Sequence, residues 1–537
     1  MGIVWMVGAL FAAAEAPVVW LEAEYFREKG GWVDDSQFLD LVGSSYLLAC
    51  GVGRPVADAV TTAHVPVAGD YRLWVRCRDW IPEHSPGKFQ VWVDGRPSPA
   101  TFGVAADDQW RWVDGGVFSL RAGEVEVRLR DLTGWWGRCD AVVLTAGPRP
   151  SDDPAELARQ RERWGGVSAS VRQKGEYDLV VVGGGLAGCA AAIAAARHGC
   201  RVVLVQDRPV LGGNASSEIG VGPSGDTSKD PLDPRETGII EELEPPGAKG
   251  DRSERYERVV RGQAGVELLL NTRATGVRMG EGGRIAAVQA LELPSGQRLE
   301  IAGRFFADCT GDAWIGYWAG ADYRQGREGR AEYNEPAAPP EADPHTLSTS
   351  LTRCTIISRD HPVPFTPPPW VPTWKSCADF DPKPKATVHS DGDLPPEGWY
   401  EMRPGKGRHP DTADAIRGAW WLELGGVRDT IADAERIRDD LFRLKLGLWD
   451  HLKNHCDQFR QENANRELVW QSHIAGKRES RRLLGDYVMS QRDYMERQVH
   501  PDTALYAGYN IDPHHPLGFW ADGPQAFRLY HHKVSVP

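Results

Sequence analysis

The chain has 537 residues, which is too long for one ordinary hydrophobic core and predicts roughly three or four domain-sized units. The composition, 41% hydrophobic and 26% charged, is typical of a globular protein, and no apolar run is long enough to cross a bilayer, so we expect no membrane span. The formal charge of −13 offers no broad basic field, which argues against a nucleic-acid partner.

Residues 1–16 predict a signal peptide. They read MGIVWMVGALFAAAEA, a short apolar stretch that ends in small residues suited to cleavage near Ala14. We therefore expect an exported protein, periplasmic or extracellular. The alternative is a misassigned start or a buried first strand, because no Lys or Arg precedes the apolar stretch.

Residues 17–147 have the pattern of a β-sandwich or jelly roll. Short alternating segments such as YRLWVRCRDW and EVEVRLRDL are separated by Gly, Pro and Asp turns at intervals of roughly 8–12 residues. Many of the 21 Trp fall in this part, where their flat rings either stack on sugars or fill the core. The pattern favours neither use for any single Trp.

The same region resembles the carbohydrate-binding sandwiches of families 6 and 35. The resemblance is carried by Leu21-Glu22-Ala23-Glu24, Gly30-Gly31-Trp32 and Arg138-Cys139-Asp140. In those modules, acidic residues of the first strand and an Asp near the last hold a structural calcium ion, so the resemblance implies calcium ligands at Glu22, Glu24 and Asp140. Hard carboxylate oxygens are what calcium prefers. The alternative is three surface carboxylates on an unrelated sandwich.

Residues 148–175 predict an exposed linker. The segment is polar, begins with Pro and ends with Gly, and contains a short charged stretch of helical character. A composition of this kind suits a domain boundary. We therefore expect two domains of different class to meet here.

Residues 177–206 carry the most specific motif of the chain. The glycines of the pattern G-x-G-x-x-G are Gly183, Gly185 and Gly188. The predicted elements around them are a strand at Leu179 to Val182, an Ala-rich helix ending at Gly199 and a strand at Val202 to Val205. In such a unit the first glycine makes the turn, the second admits a pyrophosphate and the third brings helix and strand together. The helix N-terminus attracts the phosphates, so the motif predicts a dinucleotide-binding, Rossmann-like α/β domain.

The segments that follow distinguish FAD from NAD. Leu211–Glu218 resembles the second glycine motif of flavoproteins in the glutathione reductase superfamily, which implies flavin contacts at Gly212, Gly213 and Asn214. Three alternating segments then predict a β-meander. It ends in Thr310-Gly311-Asp312, which resembles the turn that returns to the cofactor in that superfamily and implies a contact from Asp312. Residues 176–335 are therefore expected to form an FAD-binding domain.

The adenosine end of the cofactor is less typical. At the end of the second strand, where an acidic residue usually binds the ribose hydroxyls, the chain has Gln206 followed by Asp207. A hydrogen bond from a neutral group contributes roughly 0.5–1.5 kcal/mol against roughly 1.5–3 kcal/mol for a charged one. Gln206 is thus expected to weaken the grip on the ribose, with Asp207 as a substitute.

From residue 176 to its end, the chain resembles the bacterial family of FAD-dependent oxidoreductases. The resemblance is carried by LVQDRPVLGGNASSE, DCTGDA, RESRR, GDYV and IDPHHP. Some members are grouped with heterodisulfide reductase-like proteins, which bind [4Fe-4S] clusters. The nine Cys of this chain are scattered singly without a C-x-x-C pair, so no cluster motif is present. Relatives continue with a further flavin-contacting segment, which we expect to be missing here.

Residues 336–537 are expected to form a cap on the substrate side. Residues 340–410 are rich in Pro and Trp, whereas 412–462 has helical spacing and predicts a scaffold helix pair with a solvated charged face. The catalytic candidates here are His514 and His515, whose imidazoles can accept a hydroxyl proton, and Arg478, which suits an anion.

These features predict a multi-domain flavoprotein that dehydrogenates a carbohydrate or similar alcohol by hydride transfer to FAD. The substrate is a small molecule or a polysaccharide, and the sequence does not indicate the electron acceptor. One alternative is a redox-assisted glycan lyase or glycosidase. Another is a glycan-binding protein whose flavin domain is degenerate or truncated.

Overall fold

The protein forms two compact units. The computed structural model describes residues 16–165, 170–223, 238–380, 400–401, 420, 422–509, 511–521, 527–528 and 534–537. The first unit comprises residues up to 34, 45–49 and 53–167, and the second comprises 35–44, 50–52 and everything from 168. The short helix α1 (Leu39–Val42) thus belongs to the second unit, although the sequence placed it inside one continuous sandwich. Except for Ala16, the predicted signal peptide falls outside the described residues.

The first unit contains two antiparallel sheets. Its strands are β1 (Val18–Glu22), β2 (Trp32–Asp35), β3 (Tyr46–Ala49), β4 (Ala59–Val65), β5 (Gly69–Cys77), β6 (Phe89–Val93), β7 (Arg96–Pro97), β8 (Arg111–Leu120), β9 (Gly123–Asp131) and β10 (Arg138–Thr145). One sheet has the order β2-β3-β10-β5-β8 with β1 also on β10, and the other has the order β4-β9-β6-β7. Alternating apolar residues of both sheets meet in one core, for example Leu73, Val142, Val91 and Val127.

The tryptophans of this unit mainly serve its interior. Trp20, Trp32, Trp80, Trp112 and Trp136 are buried. The other described tryptophans of the unit's strands and turns are half-buried. Core packing is thus the principal use of these rings, as expected for side chains that remove so much apolar area from water.

The predicted linker contains a packed helix. Helix α2 (Pro154–Trp164) is capped at its N-terminus by Asp153, whose side chain accepts a hydrogen bond from the Glu156 amide. Leu157 is buried with Trp20 and Trp112 of the first unit. Most of this stretch is exposed as expected, but one apolar face of the helix is covered, so the segment is packed and not free.

The second unit is built on a six-stranded sheet. Its strands are β11 (Val171–Val182), β12 (Val202–Val205), β13 (Val266–Leu269), β14 (Thr272–Met279), β15 (Ile285–Glu292) and β16 (Gln297–Asp308). The order is β13-β12-β11-β16-β15-β14. The first four are parallel, whereas β14, β15 and β16 form an antiparallel meander. Strand β12 coincides with the strand predicted at Val202 to Val205.

Helices of this unit cover the parallel strands and fill the later part of the chain. They are α3 (Leu186–Arg197), α4 (Ile239–Leu243), α5 (Arg252–Gly262), α6 (Trp314–Ala319), α7 (Arg330–Tyr333), α8 (Ala434–Asp450), α9 (Arg460–Asn463) and α10 (Gln491–Glu496). Short strands accompany them: β17 (Tyr323–Arg324), β18 (Thr349–Ser350), β19 (Cys354–Ser358), β20 (Tyr400–Glu401), β21 (Glu423–Leu424), β22 (Arg466–Gln471), β23 (Gly476–Lys477), β24 (Arg482–Leu483), β25 (Leu505–Ala507), β26 (Phe527–Arg528) and β27 (Val534–Val536). No helix in the described ranges is long and apolar enough to span a membrane.

Helix α8 differs from the predicted surface helix. Its Arg438, Asp439 and Lys445 are buried together with the apolar face. Arg438 donates to Asp35 at 2.8 Å and to Asp439 at 2.9 Å. The prediction of a solvated charged face is therefore wrong here, because these charges have partners within the unit.

Candidate functional site

The three motifs found in the sequence converge on one cavity. It has a volume of about 580 Å³, a size typical of ligand pockets. Its wall combines the ends of the strands β11, β12 and β16 with the segments that follow them and with residues 474–479. Among the predicted site residues, the wall includes Gly183, Gly185, Gln206, Asp207, Gly212, Gly213, Asn214, Asp312 and Arg478.

The first glycine motif shapes one end of this cavity. Gly183 has a φ of +104°, and a Cβ there would overlap the backbone of Cys309. A Cβ at Gly188 would overlap the Gly183 carbonyl, so these two glycines permit the tight packing of turn and helix. A Cβ at Gly185, by contrast, would meet nothing within 4 Å. Gly185 thus faces open space at the start of α3, whose first amides have no side-chain cap and can bind a phosphate.

Gln206 and Asp207 are both engaged by the protein. The Gln206 side chain accepts a hydrogen bond from the Gly184 amide at 2.7 Å and donates one to the Val210 carbonyl at 3.0 Å. Asp207 pairs with Arg273 at 2.9 Å. Gln206 therefore stabilises the glycine turn, and contact of either residue with a ribose stays a prediction.

Lys477 contacts both the second glycine motif and the T-G-D turn. Gly212 has a φ of +119° and donates its amide to the Gly184 carbonyl at 2.8 Å, which joins the two glycine motifs. Asn214 donates to the Lys477 carbonyl at 2.9 Å. The Lys477 ammonium lies 3.0 and 2.8 Å from the two Asp312 oxygens. Lys477 was missed in the sequence, although it directly precedes the recognised Arg478 block.

Arg478 connects the cavity to a buried acid–base pair. Its Nε donates to Glu423 Oε2 at 2.7 Å, and its guanidinium lies over the Trp420 ring, 4.0 Å from the centroid. The other oxygen of Glu423 lies 2.7 Å from His514 Nδ1. Burial lowers the pKa of His514, but the Glu423 and Asp512 carboxylates together more than offset burial, so the pKa is raised overall. Glu423 gave no signal in the sequence.

The two predicted histidines do not line the cavity wall as described. His514 is 4% exposed and lies behind Arg478 and Glu423. His515 accepts a hydrogen bond from the Leu517 amide at 3.1 Å, so it serves a local turn.

Gln37 and Phe38 do line the cavity, which the sequence missed because they fall within the predicted sandwich. The signal available was the break in strand alternation at residues 37–42.

The residues predicted to bind calcium in the first unit do not fit that ion. Asp140 accepts hydrogen bonds from Arg76 and Arg161, both at 2.6 Å, and Arg161 also pairs with Glu22. A guanidinium from α2 thus occupies the position between the carboxylates that a cation would take. Burial raises the pKa of Glu22 to about 7 and, with the charge of Glu22, also raises the pKa of Glu24. The calcium prediction is corrected accordingly: arginine supplies the positive charge.

The cavity itself fits a flavin dinucleotide. Open space at Gly185 and the uncapped amides of α3 suit a pyrophosphate. The two glycine motifs are joined at the same wall, and the T-G-D turn lies across from them. Residues from three distant parts of the sequence therefore make one site of the expected chemistry.

Comparison with known proteins gives local similarities of limited extent. The cytochrome-type fumarate reductase of Shewanella frigidimarina is 42% identical over 71 residues, which is 13% of this chain and 12% of that protein. The THI4 structure of Thermovibrio ammonificans is 19% identical with a TM-score of 0.23, covering 28% of this chain and 66% of that one. The C-terminal CBM6 of LamC from Zobellia galactanivorans is 16% identical with a TM-score of 0.20, covering 24% and 99%. The chain thus spans about an eighth of the length of the curated relative.

The family comparison covers far more of the chain. The model described as FAD dependent oxidoreductase matches residues 178–535, which include both glycine motifs, the T-G-D turn and the Arg478 block. FAD is therefore the cofactor of the matched part of the chain, and the matched family is one of oxidoreductases. On this match over most of its length, the chain belongs to the family of FAD dependent oxidoreductases.

Proposed function

We propose that this protein dehydrogenates an alcohol group of a carbohydrate or a related compound. Bound FAD supplies an acceptor for a hydride. The C–H bond of the substrate breaks with both electrons, the O–H proton passes to water, and the product is a carbonyl compound. The protein has to orient the hydroxyl and to stabilise the negative charge that develops on its oxygen.

The observation that carries the proposal is the fixed guanidinium of Arg478 in the cavity wall. Three contacts hold it: Glu423 at 2.7 Å, the Trp420 carbonyl at 2.6 Å and the face of the Trp420 ring. A guanidinium that is already oriented and largely removed from water stabilises an oxygen anion more than a mobile surface charge would. Arg478 therefore binds the substrate oxygen in this proposal.

Glu423 and His514 act through Arg478. Glu423 is fully buried, and each of its oxygens has a cationic or protonatable partner, Arg478 on one side and His514 on the other. His514 is thus a positioning residue in the proposal. The sequence predicted His514 as a catalytic base, but among the described residues His514 does not line the cavity wall.

The carbohydrate class rests on the resemblance of the first unit to carbohydrate-binding modules, carried by Leu21–Glu24 and by Arg138–Asp140. Exported localisation and a polysaccharide partner belong to the same proposal. The half-buried Trp74, Trp92, Trp110 and Trp135 are among the rings of this unit that retain some access to sugars.

The test is anaerobic incubation of the purified holoprotein with a panel of sugars, sugar alcohols and oligosaccharides. Reduction of the flavin is measured as bleaching of its absorbance. We expect at least one of them to bleach the flavin. Arg478→Lys should slow bleaching while flavin content is unchanged, since lysine cannot reproduce the two hydrogen bonds and the ring contact that hold the guanidinium. Arg278→Lys is the matched control, because Arg278 pairs with Glu300 in the meander and lies outside the cavity wall.

Other outcomes select other functions. Turnover of a glycan without net consumption of an electron acceptor would favour the lyase or glycosidase. Polysaccharide binding by a protein purified without flavin would favour the glycan-binding protein. If no alcohol bleaches the flavin but fumarate reoxidises it after chemical reduction, the proposed direction is wrong. That outcome is of interest because of the 71-residue match to a fumarate reductase.

A further inference from the structure

A cluster of two cysteines and a histidine lies at the end of helix α8. Cys377 is in the short turn Cys377–Phe380, whereas His451 and Cys456 border the wide π-helical turn that follows α8. Such turns recur at functional sites. The two sulphur atoms and the histidine Nε2 all lie within 4.8 Å of one another. His451 and Cys456 are buried and Cys377 is half-buried.

Two of the three distances match the edges of a tetrahedral metal site, and the third, between Cys456 and His451, is within 4.8 Å. The Cys377 sulphur is 3.7 Å from the Cys456 sulphur and 3.7 Å from His451 Nε2. Zinc binds thiolate sulphur at about 2.3 Å and imidazole nitrogen at about 2.0–2.1 Å, so tetrahedral angles place two sulphurs about 3.8 Å apart and sulphur and nitrogen about 3.6 Å apart. A disulfide would require the sulphurs to approach to about 2.05 Å.

The histidine is oriented for this role. Its Nδ1 lies 2.9 Å from the Trp374 carbonyl oxygen, an arrangement that places the proton on Nδ1 and directs the Nε2 lone pair toward the two sulphurs. Metal-binding histidines commonly donate their other ring nitrogen to a carbonyl in this way.

The segment that carries Cys377 is held closely against the helix. A Cβ at Gly447 would overlap Pro372 and the Trp374 ring, so α8 accepts this segment only because that residue is glycine. Arg443 donates to the Trp370 carbonyl at 3.1 Å, and Asn454 donates to the Phe365 carbonyl at 2.9 Å. The chain therefore presents the three side chains together.

We propose that Cys377, His451 and Cys456 bind a zinc ion. Two thiolates and an imidazole favour zinc over magnesium or calcium, and the fourth ligand is a water molecule or a further side chain. Ala434, at the other end of α8, lines the flavin cavity, and 17 residues of helix separate it from His451 by about 25 Å. In this proposal the zinc ion ties residues 365–377 to the end of a helix whose beginning forms part of the cavity wall, and it lies too far from the flavin cavity to contact the cofactor.

The test uses the full-length holoprotein without added metal chelator. Elemental analysis should find about one zinc ion per chain, and Cys377→Ser should reduce this to a small fraction. Cys200→Ser is the matched control, because it is also a partly buried cysteine and lies outside the cluster. Exchange of zinc for Co²⁺ should give the intense visible bands and thiolate charge transfer of a tetrahedral cobalt site, a readout that does not depend on any variant.

The proposal is overturned if the protein holds no zinc and Co²⁺ gives only the weak spectrum of an octahedral aqua site. It is also overturned if Cys377→Ser retains the full zinc content. Recovery of a peptide with Cys377 disulfide-bonded to Cys456 from freshly purified protein would assign the pair to a redox role instead.

Discussion

Replacing Arg161 by methionine tests whether this side chain holds the first unit together. The guanidinium pairs with Glu22 and Asp140, whose side chains are 1% and 0% exposed. Methionine keeps most of the volume but removes the charge, so Glu22 and Asp140 both lose this partner, while Asp140 keeps its pair with Arg76. Removal of one partner of a buried ion pair costs about 3–5 kcal/mol.

For a unit of this size that cost corresponds to a fall in melting temperature of about 10 °C, measured by calorimetry of the full chain. The deficit should depend on pH. Burial raises the pKa of Glu22 above its unfolded value of 4.5, so the folded state binds more protons between pH 4.5 and about 7. Stability therefore falls as pH rises through this window, and the deficit of the variant should be greatest above pH 7.

Arg159→Met on the same helix is the control, because Arg159 is 66% exposed and pairs only with Glu156 among the contacts described. Exposed pairs contribute at most about 1 kcal/mol. Excess calcium should leave the melting temperature of the wild-type protein unchanged. This prediction is refuted if Arg161→Met melts like the control at pH 8, or if calcium stabilises the wild type. In either case the guanidinium does not supply the positive charge between Glu22 and Asp140.

Three further predictions concern the second unit. Gly185→Asp should abolish flavin binding, because a carboxylate would enter the pyrophosphate position. The control Gly262→Asp, on open surface, should retain the flavin. The flavin released from each purified variant is measured by absorbance. Burial lowers the pKa of Lys445 to about 8, below the unfolded value of 10.5. The free energy of unfolding of the wild type should therefore rise between pH 8 and pH 10.5. Lys445→Met should show no such rise, whereas the control Lys174→Met should keep it. Glu423→Gln should slow flavin reduction by substrate about tenfold at unchanged flavin content, and an unchanged stopped-flow rate would refute the role of the Arg478 contact.

The dinucleotide-binding unit was predictable because its determinants are local. A strand, three glycines at fixed spacing and an Ala-rich helix are contiguous in sequence. The surrounding backbone requires glycine at 183 and 188, whereas Gly185 leaves space open at the start of the helix. The strand at Val202 to Val205 follows from a short continuous apolar run, and the return through Asp312 follows from the resemblance of Thr310-Gly311-Asp312 to the flavoprotein turn. FAD binding followed from the order of these local motifs.

The partners of charged side chains were not predictable in this way. Arg161 lies 139 positions from Glu22, and Arg438 lies 403 positions from Asp35. Periodicity assigns such arginines to a solvated face, since it contains no information on what packs there. The hydrogen bond from the Gly184 amide to Gln206 was likewise not predictable, since it forms only in the folded turn.

What the sequence by itself determined was the class of the protein: a glycine-rich FAD fold preceded by a β-rich domain. Tertiary structure alone decided the chemistry of its interior, where α2 brings an arginine to the predicted calcium ligands and α8 brings His451 and Cys456 to Cys377. Local motifs constrain the backbone through steric rules that act over a few residues. Buried polar groups require partners at hydrogen-bonding distance, and the fold, not chain proximity, determines which residues can supply them.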